Sequence, residues 1–195
     1  HAANHLETIR GGQGLLIDGV PGVKPAEVVI VGAGNVGTAA LRRAVGLGCR
    51  VTILDVNLDR LTYLDDVYNG KIETLYSNSY NLMEAAKTAD VVVGAVLIPG
   101  AKAPKLVTEE MVKAMKPGTV IVDIAIDQGG SVETVDAPTT HQEPTFVKHD
   151  VIHYAVANVP GAVSKTGTLA LTNATFRYTM ALANKGWKKA LQDDP

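Results

Sequence analysis

The chain has 195 residues, 46% of them hydrophobic and 19% charged, and its 18 Lys and Arg against 20 Asp and Glu leave a formal net charge of −2. This composition can bury a core and excludes intrinsic disorder. Without a basic excess, and with only 2 Phe and 1 Trp for stacking on bases, a nucleic acid partner is not expected. No apolar run approaches the roughly 20 residues of a membrane-spanning helix, so we expect no membrane partner.

The predicted elements alternate between buried strands and amphipathic helices. Short β-branched runs predict strands over residues 27–31, 50–54, 72–75, 90–95 and 119–123. Apolar residues at helical spacing predict helices over residues 35–47, 58–67, 81–88 and 108–114. This alternation predicts an α/β fold, with a mainly parallel sheet covered by helices on both faces.

The pattern changes after Asp127. A loop rich in Gly, Thr and Pro is predicted as far as Pro144, followed by a hairpin whose second strand covers residues 151–156. Residues 164–191 predict either a long helix or a broken pair of helices.

The two ends are predicted to be helical connections. Residues 1–12 are expected to finish a helix, and residues 1–24 and 165–195 are expected to lead towards a missing substrate domain. The chain begins with His1 instead of Met, so we expect a single domain, residues 1–195, that belongs to a longer two-domain protein.

The most specific motif is GAGNVG at residues 32–37, between the first predicted strand and the first helix. Gly32 permits a tight turn, Gly34 lets the backbone approach a pyrophosphate, and Gly37 lets the helix pack closely on the strand. The free amides at the helix start, at Asn35 and Val36, would face the anion. The motif and its context predict a Rossmann-type, doubly wound fold that binds a dinucleotide.

Asp55 ends the second predicted strand, 21 positions after Gly34 (55 − 34). A carboxylate there accepts hydrogen bonds from the adenine-side ribose and repels a 2′-phosphate, which favours NAD over NADP. Arg60 has two interpretations: it offsets that repulsion, or it is an exposed helix arginine, which we favour. No Gly-Lys-Ser/Thr follows the glycines, so a P-loop is excluded.

Two loops leave the carboxyl ends of the fourth and fifth predicted strands, where open parallel sheets bind ligands. The second of them contains Asp127, which could act as an acid/base, hold an ammonium group, or simply cap a turn. Further along the chain, Asn158 could reach the nicotinamide side of the cofactor or cap a turn.

Other polar residues are weaker candidates. His141, His149 and His153 lack the clustered partners of a metal site, so we favour surface or packing roles and expect no metal. Cys49, the only cysteine, fits a reducing compartment and is expected to pack against the sheet. Lys102 and Lys105 could solvate a loop or pair with a partner domain.

Several long phrases resemble the L-alanine dehydrogenase family, which also contains the cofactor-binding subunit of nicotinamide nucleotide transhydrogenase. They are GAVLIPGAKAPKLVT at residues 94–108, VDIAIDQGG at 122–130, PTTH at 138–141, VANVPGAV at 156–163 and ALTNAT at 170–175. The resemblance runs almost from end to end.

The resemblance implies an NAD-dependent, reversible oxidative deamination of L-alanine to pyruvate and ammonia by a cytoplasmic homo-oligomer. It implies these positions: Gly32, Gly34 and Gly37 at the pyrophosphate, Asp55 at the adenosine ribose, Ser77 near the adenine, Val96, Leu97 and Asn158 at the nicotinamide side, and Asp127 as the active-site carboxylate. In this family the acid/base His and the Lys and Arg that bind the substrate carboxylate come from the other domain. The chain alone is therefore expected to bind NAD(H) without turnover.

Two other functions stay open on the sequence. One is the hydride-exchange domain of a proton-translocating transhydrogenase, although the resemblance associates the Asp127 loop with the amino-acid enzyme. The other is a non-catalytic NAD-binding module, since Leu169, Leu182 and Trp187 could meet a partner; core packing accounts for these side chains equally well.

Overall fold

The structure, a computed structural model, describes residues 1–97 and 103–194. Its contacts divide the chain into two compact units, residues 1–157 and the residues from 158 onward. The sequence predicts one domain without this division. The first unit contains the sheet, and the second contains a long helix with its leading turn.

Within the described residues, seven strands form one sheet in the first unit. In chain order they are β1 (Glu27–Val31), β2 (Arg50–Asp55), β3 (Glu73–Tyr76), β4 (Val91–Gly94), β5 (Val120–Asp123), β6 (Thr145–Lys148) and β7 (Val151–Tyr154). The spatial order is β3-β2-β1-β4-β5-β7-β6, and every neighbouring pair is parallel except β6 with β7. The predicted mainly parallel, doubly wound α/β fold is confirmed.

In the described part of the chain, four helices lie between successive parallel strands: α2 (Asn35–Gly46), α3 (Leu58–Tyr68), α4 (Ser79–Thr88) and α5 (Glu109–Ala114). Helix α1 (Ala2–His5) precedes β1, and α6 (Ser164–Asp193), in the second unit, follows β7. No helix within residues 1–97 and 103–194 combines the length and apolarity needed to cross a bilayer.

Alternate residues of β1 supply the two halves of the core. Val28 and Ile30 join a buried cluster with residues of α2 and α3, such as Leu41. Val29 and Val31 join a second cluster with residues of α4 and α5. Because successive side chains of a strand point to opposite faces, a continuous apolar run buries both faces of the sheet.

The predicted hairpin is confirmed, but its second strand ends at Tyr154 instead of residue 156. Its turn is made by His149 and Asp150, which have φ of 54° and 58°. Two consecutive left-handed residues match the twist of an antiparallel pair, so the turn fits the hairpin geometry.

The first residues differ from the predicted helix over 1–12. Helix α1 has four residues, and a 3₁₀ turn follows at Thr8–Arg10. Gly11, with φ of 82°, ends this turn in a left-handed conformation. Residues 11–26 contain no helix, so the predicted helical connection over residues 1–24 is wrong beyond Arg10. Glycines at 11, 12 and 14 explain the interruption.

In the second unit, α6 follows a 3₁₀ turn at Val159–Val163 and is broken at Gly186, with φ of 73° and ψ of 158°. This agrees with the broken-pair interpretation. Leu169, Leu182 and Trp187 are 58%, 47% and 64% exposed. Core packing therefore does not account for these side chains.

Candidate functional site

The glycine-rich loop joins β1 to α2, and its three glycines have different surroundings. Gly32 has φ of 103°, and a Cβ there would lie 2.8 Å from the carbonyl oxygen of Ala95. A Cβ on Gly37 would lie 1.8 Å from the carbonyl oxygen of Gly32. A Cβ on Gly34 would meet nothing within 4 Å. Two glycines therefore allow close packing within the protein, and the third faces open space.

Helix α2 begins directly after this open space. Its N-cap is Gly34, so no side chain caps the first amides, including those of Asn35 and Val36. Uncapped amides at a helix start carry partial positive charge and bind anions. The loop therefore has both the room and the donors for a phosphate group.

Asp55, at the end of β2, holds the middle of the same loop. Its Oδ2 accepts a hydrogen bond from the Ala33 amide at 2.6 Å, and its Oδ1 accepts one from the Asn57 amide at 2.8 Å. The carboxylate that the sequence assigns to a ribose thus also orders the glycine-rich loop.

Arg60 is partly buried, so the favoured interpretation as an exposed helix arginine is wrong. Its Nε donates to the Ala33 carbonyl at 3.0 Å, and its Nη2 donates to Thr38 Oγ1 at 2.8 Å. The guanidinium also lies over the Tyr63 ring, 5.0 Å from its centroid. Both polar groups of the Ala33 main chain are therefore held, one by Asp55 and the other by Arg60.

A cavity of about 720 Å³ lies along the carboxyl ends of the strands in the first unit. The predicted cofactor residues on its wall are Gly32, Gly34, Asn35, Val36, Asp55, Ser77, Val96 and Leu97. The structure thus brings together eight of the eleven predicted cofactor residues. Gly37 and Arg60 support the loop from behind the wall, and Asn158 belongs to the second unit.

The volume lies within the range of about 300–1,000 Å³ that is typical of small-molecule and cofactor pockets. Val96 and Leu97, after β4, contribute to the wall. Residues 98–102, which include Lys102, lie outside the described residues.

Sequence reasoning missed part of the wall. The missed residues are Leu54, Val56, Asn78, Ser79, Leu82, Ala95, Pro104, Lys105, Leu106 and Thr108. Two of them carry a recognisable signal. Asn78 Oδ1 accepts from the Asn81 amide at 2.8 Å, and Thr108 Oγ1 accepts from the Met111 amide at 3.3 Å, so both are N-caps. A cap residue between a strand and a helix marks this edge of the sheet.

The loop after β5 forms a 3₁₀ turn at Ile124–Gln128 that contains Asp127. Asp127 is exposed and is not among the cavity-lining residues. The buried carboxylate of this loop is Asp123, which is 1% exposed. Burial raises the pKa of Asp123, and hydrogen bonds from Ser131, Val132 and Ala125 act in the opposite direction.

Asn158 begins the second unit with φ of 53° and is the N-cap residue of the 3₁₀ turn at Val159–Val163. Its side chain makes no capping hydrogen bond, so the turn-capping interpretation is not supported. Its predicted position beside the nicotinamide stays a prediction.

The described histidines have structural partners. His153 is fully buried; its Nδ1 donates to the Val151 carbonyl at 2.9 Å, and its Nε2 accepts from Thr134 Oγ1 at 2.7 Å. His149 Nε2 lies 2.7 Å from Glu109 Oε1. Within residues 1–97 and 103–194, no three potential metal ligands gather. Cys49 packs in the core as expected, and burial raises the pKa of its thiol.

The profile of the family described as alanine dehydrogenase/PNT, C-terminal domain, matches residues 1–195. The chain belongs to this family. Alanine dehydrogenase from Methanococcus maripaludis is 63% identical over 193 residues, which are 99% of this chain and 52% of that protein. The chain therefore spans about half the length of the curated relatives it matches.

Two solved structures have the same fold. A structure titled L-alanine dehydrogenase has a TM-score of 0.93 and 51% identity, covering 99% of this chain and 53% of its own. A transhydrogenase from Sinorhizobium meliloti has a TM-score of 0.73 and 27% identity, covering 92% of this chain and 54% of its own. Similarity to the dehydrogenase is therefore much stronger.

Proposed function

We propose that the chain is the NAD(H)-binding part of an alanine dehydrogenase. The full enzyme would convert L-alanine, water and NAD⁺ reversibly into pyruvate, ammonium, NADH and a proton. The observation that carries this proposal is the cavity at which the uncapped start of α2, the open space beside Gly34 and the carboxylate of Asp55 meet. Relatives of this chain named alanine dehydrogenase support the reaction class.

The cavity wall suits each part of a dinucleotide. The amides of Asn35 and Val36 would bind the pyrophosphate, and Asp55 would accept hydrogen bonds from the adenosine ribose. Ser77 would lie near the adenine, and Val96 and Leu97 would border the nicotinamide. Bound in this way, NAD⁺ would supply the hydride acceptor of the reaction.

Asp127 would supply the active-site carboxylate from the loop after β5. Oxidation of an amine to an imine and its hydrolysis require several proton transfers, and a carboxylate can take part in them or stabilise the ammonium group. The substrate-binding groups would come from a second domain. This accounts for an NAD(H)-binding chain that spans about half the length of its relatives.

We also propose a cytoplasmic homo-oligomer for the full enzyme. The single buried thiol of Cys49 is compatible with a reducing compartment. Light scattering would measure the oligomer directly, and a mass equal to one chain at high concentration would contradict self-assembly.

The decisive experiment is a fluorescence titration of the chain with NADH and NADPH. We expect NADH to bind more tightly than NADPH, because the Asp55 carboxylate repels a 2′-phosphate. Asp55→Asn should weaken NADH binding about tenfold or more, since hydrogen bonds to charged groups contribute about 1.5–3 kcal/mol. The ratio of NADPH Kd to NADH Kd should become smaller in this variant, because its side chain carries no negative charge. Asp66→Asn, an exposed carboxylate on α3, is the matched control.

Three results would contradict the proposal. Failure of the wild-type chain to bind NADH would remove the cofactor assignment. Alanine oxidation by this chain alone would remove the requirement for a second domain. If the intact protein exchanged hydride between two nicotinamide nucleotides and did not oxidise alanine, the transhydrogenase alternative would replace it.

A further inference from the structure

Lys105 has a more specific role than either sequence interpretation gave it. Its Nζ donates hydrogen bonds to the carbonyl oxygens of Gly129 and Val132, both at 2.9 Å, and of Val135 at 3.3 Å. An ammonium group has three N–H donors, and these three carbonyls match that number. Lys105 also lines the cavity. One side chain therefore connects the cavity wall to the segment after β5.

The Asp123 carboxylate binds the same segment, mainly through the segment's backbone amides. Its Oδ1 accepts from the Ala125 amide and from Ser131 Oγ, both at 3.1 Å. Its Oδ2 accepts from the amides of Ser131 at 2.9 Å and Val132 at 3.2 Å. This buried carboxylate, with four donors around it, ties the start of the 3₁₀ turn at Ala125 and the residues after the turn, Ser131 and Val132, to the end of β5.

Gly130 lies where the two side chains approach. A Cβ there would lie 2.8 Å from Asp123 Oδ2 and 3.4 Å from Lys105 Nζ, and its φ of 74° disfavours other residues. The Gly130 amide also donates to the Ala125 carbonyl at 3.0 Å, which closes the turn. The segment is therefore held through amides by an anion and through carbonyls by a cation.

Asp127 lies inside this arrangement. It is four residues after Asp123 and two residues before Gly129, whose carbonyl Lys105 binds. The backbone on both sides of Asp127 is thus tied to groups that do not belong to the turn itself. The hydrogen bonds of Asp123 to the Ala125 amide and of Lys105 to the Gly129 carbonyl therefore restrain the backbone on both sides of Asp127.

We propose that Lys105 and Asp123 are positioning residues that clamp residues 124–135 and so fix the backbone that carries Asp127 in the loop after β5. The inference deepens the proposed function and depends on it for the role of Asp127. It gives Lys105 a function within the chain, where the sequence suggested solvation or a contact with a partner domain.

The test uses Lys105→Met, which keeps the length of the side chain and removes its donors, and Lys105→Arg, which restores some of them. Alanine oxidation by the intact enzyme should lose kcat on the order of tenfold to a hundredfold in the Met variant, because misplacement by about 1 Å can cost a hundredfold. The Kd for NADH should change less than kcat, since Lys105 donates to carbonyls of the segment after β5 and Asp55 and the α2 amides are untouched. Arg should recover part of kcat.

A second measurement does not depend on turnover. Amide hydrogen exchange of this chain should accelerate in Lys105→Met only over residues 124–135. Lys87→Met is the control, because Lys87 is an exposed lysine paired with Glu84; it should change neither kcat nor exchange in that segment. Asp123→Asn should give the same exchange pattern if it folds. The double variant should lose less kcat than the product of the two single losses, because both residues fix one segment.

The outcomes separate the two proposals. Unchanged exchange over residues 124–135 in Lys105→Met overturns the clamp, whatever the enzyme does. Faster exchange with kcat within about twofold of wild type overturns the link to Asp127. Loss of NADH binding by the wild-type chain overturns the proposed function instead, and leaves the exchange experiment as the test of the clamp.

Discussion

At the residue scale, Gly34 and Gly37 lie three positions apart in one motif and have different surroundings. Gly37 is needed for packing, because the absence of a Cβ leaves room for the carbonyl of Gly32. A Cβ on Gly34, by contrast, would meet no atom within 4 Å. Sequence spacing marks both glycines; the packing around them distinguishes Gly37, which close packing requires, from Gly34, to which we assign the proposed phosphate contact.

This difference predicts opposite outcomes for two alanine substitutions. Gly37→Ala should destabilise the chain by about 2 kcal/mol or more, because overpacking against backbone cannot relax easily. Gly34→Ala should change unfolding stability by no more than about 0.5 kcal/mol, while NADH affinity falls about tenfold through loss of close phosphate approach. Urea unfolding and NADH titration measure the two effects.

Gly46→Ala provides the control on the same helix. Its Cβ would also meet nothing within 4 Å, and it is not among the cavity residues. It should stabilise the chain by about 0.5–1 kcal/mol and leave NADH affinity unchanged. Equal NADH affinity in Gly34→Ala and Gly46→Ala would contradict the assigned role of Gly34.

At the element scale, the strand β4 ends in a way that depends on the loop after β5. A Cβ on Gly94 would lie 2.1 Å from Ser131 Oγ and 3.2 Å from Asp123 Oδ1. Ser131 is fully buried and donates to Asp123 through both its amide and its hydroxyl. Gly94, at the end of β4, therefore leaves room for the hydrogen bonds between Ser131 and Asp123 at the end of β5.

Gly94→Ala should therefore cost about 1–3 kcal/mol of unfolding stability, since the added methyl displaces Ser131. Adding Ser131→Ala should recover part of that loss, because the remaining Cβ of residue 131 lies 3.5 Å from the new group, which is ordinary contact. Urea unfolding of the two single variants and the double variant gives the coupling. Strictly additive losses would show that Ser131 is not the obstacle.

The strands and helices were predictable because their signals are local. The run EVVIV at residues 27–31 predicts the observed bounds of β1. Gly48 correctly marks the end of α2, which ends at Gly46. The start of α4 at Ser79, two residues before its predicted start, follows from the Asn78 cap, which the periodicity of apolar residues does not reveal. The N-terminal helix is shorter than predicted, because Gly11, Gly12 and Gly14 interrupt the segment after Arg10.

Half of the site was predictable for the same reason. The glycine-rich loop and Asp55 are linked by a fixed number of residues in one strand-helix-strand unit. The contacts of Lys105 depend on long-range packing, since its partners lie 24 to 30 positions away. The sequence identifies Asp123 only as the last residue of the predicted strand 119–123. Its burial and its hydrogen bonds cannot be predicted from residue spacing.

At the scale of the whole molecule, two histidines make stability depend on pH. Burial lowers the pKa of His153 below 6.5, and burial together with the nearby Arg10 lowers that of His5. The unfolded chain therefore binds more protons than the folded one as the pH falls through 6.5 and below. Their contribution to stability is present above this pH and is lost as the pH drops.

His153→Gln should isolate one of these contributions. At pH 8 the variant should be less stable than wild type, because the hydrogen bonds with Thr134 and Val151 are disturbed. The difference should shrink as the pH falls below 6.5, by at most about 1.4 kcal/mol per pH unit. Urea unfolding of both proteins between pH 5 and pH 8 measures it.

Comparing His153→Gln with wild type also removes the contribution of Asp123 to the pH dependence of stability, which is opposite in sign to that of His153. Burial raises the pKa of Asp123, so its contribution is lost as the pH rises through that raised value. Because Asp123 is present in both proteins, it cancels in the difference. A difference that stays constant with pH would mean that His153 is not kept neutral by the fold.

The two protein contacts of Asp55 have a consequence for how a sugar is received. A carboxylate offers about four lone-pair positions, and among the described residues the amides of Ala33 and Asn57 occupy one on each oxygen. The remaining pair can accept vicinal hydroxyls while both amides stay bonded. If Asp55 binds the ribose as proposed, the sugar would be bound without rearrangement of this carboxylate, and NADH association should then proceed in a single kinetic phase.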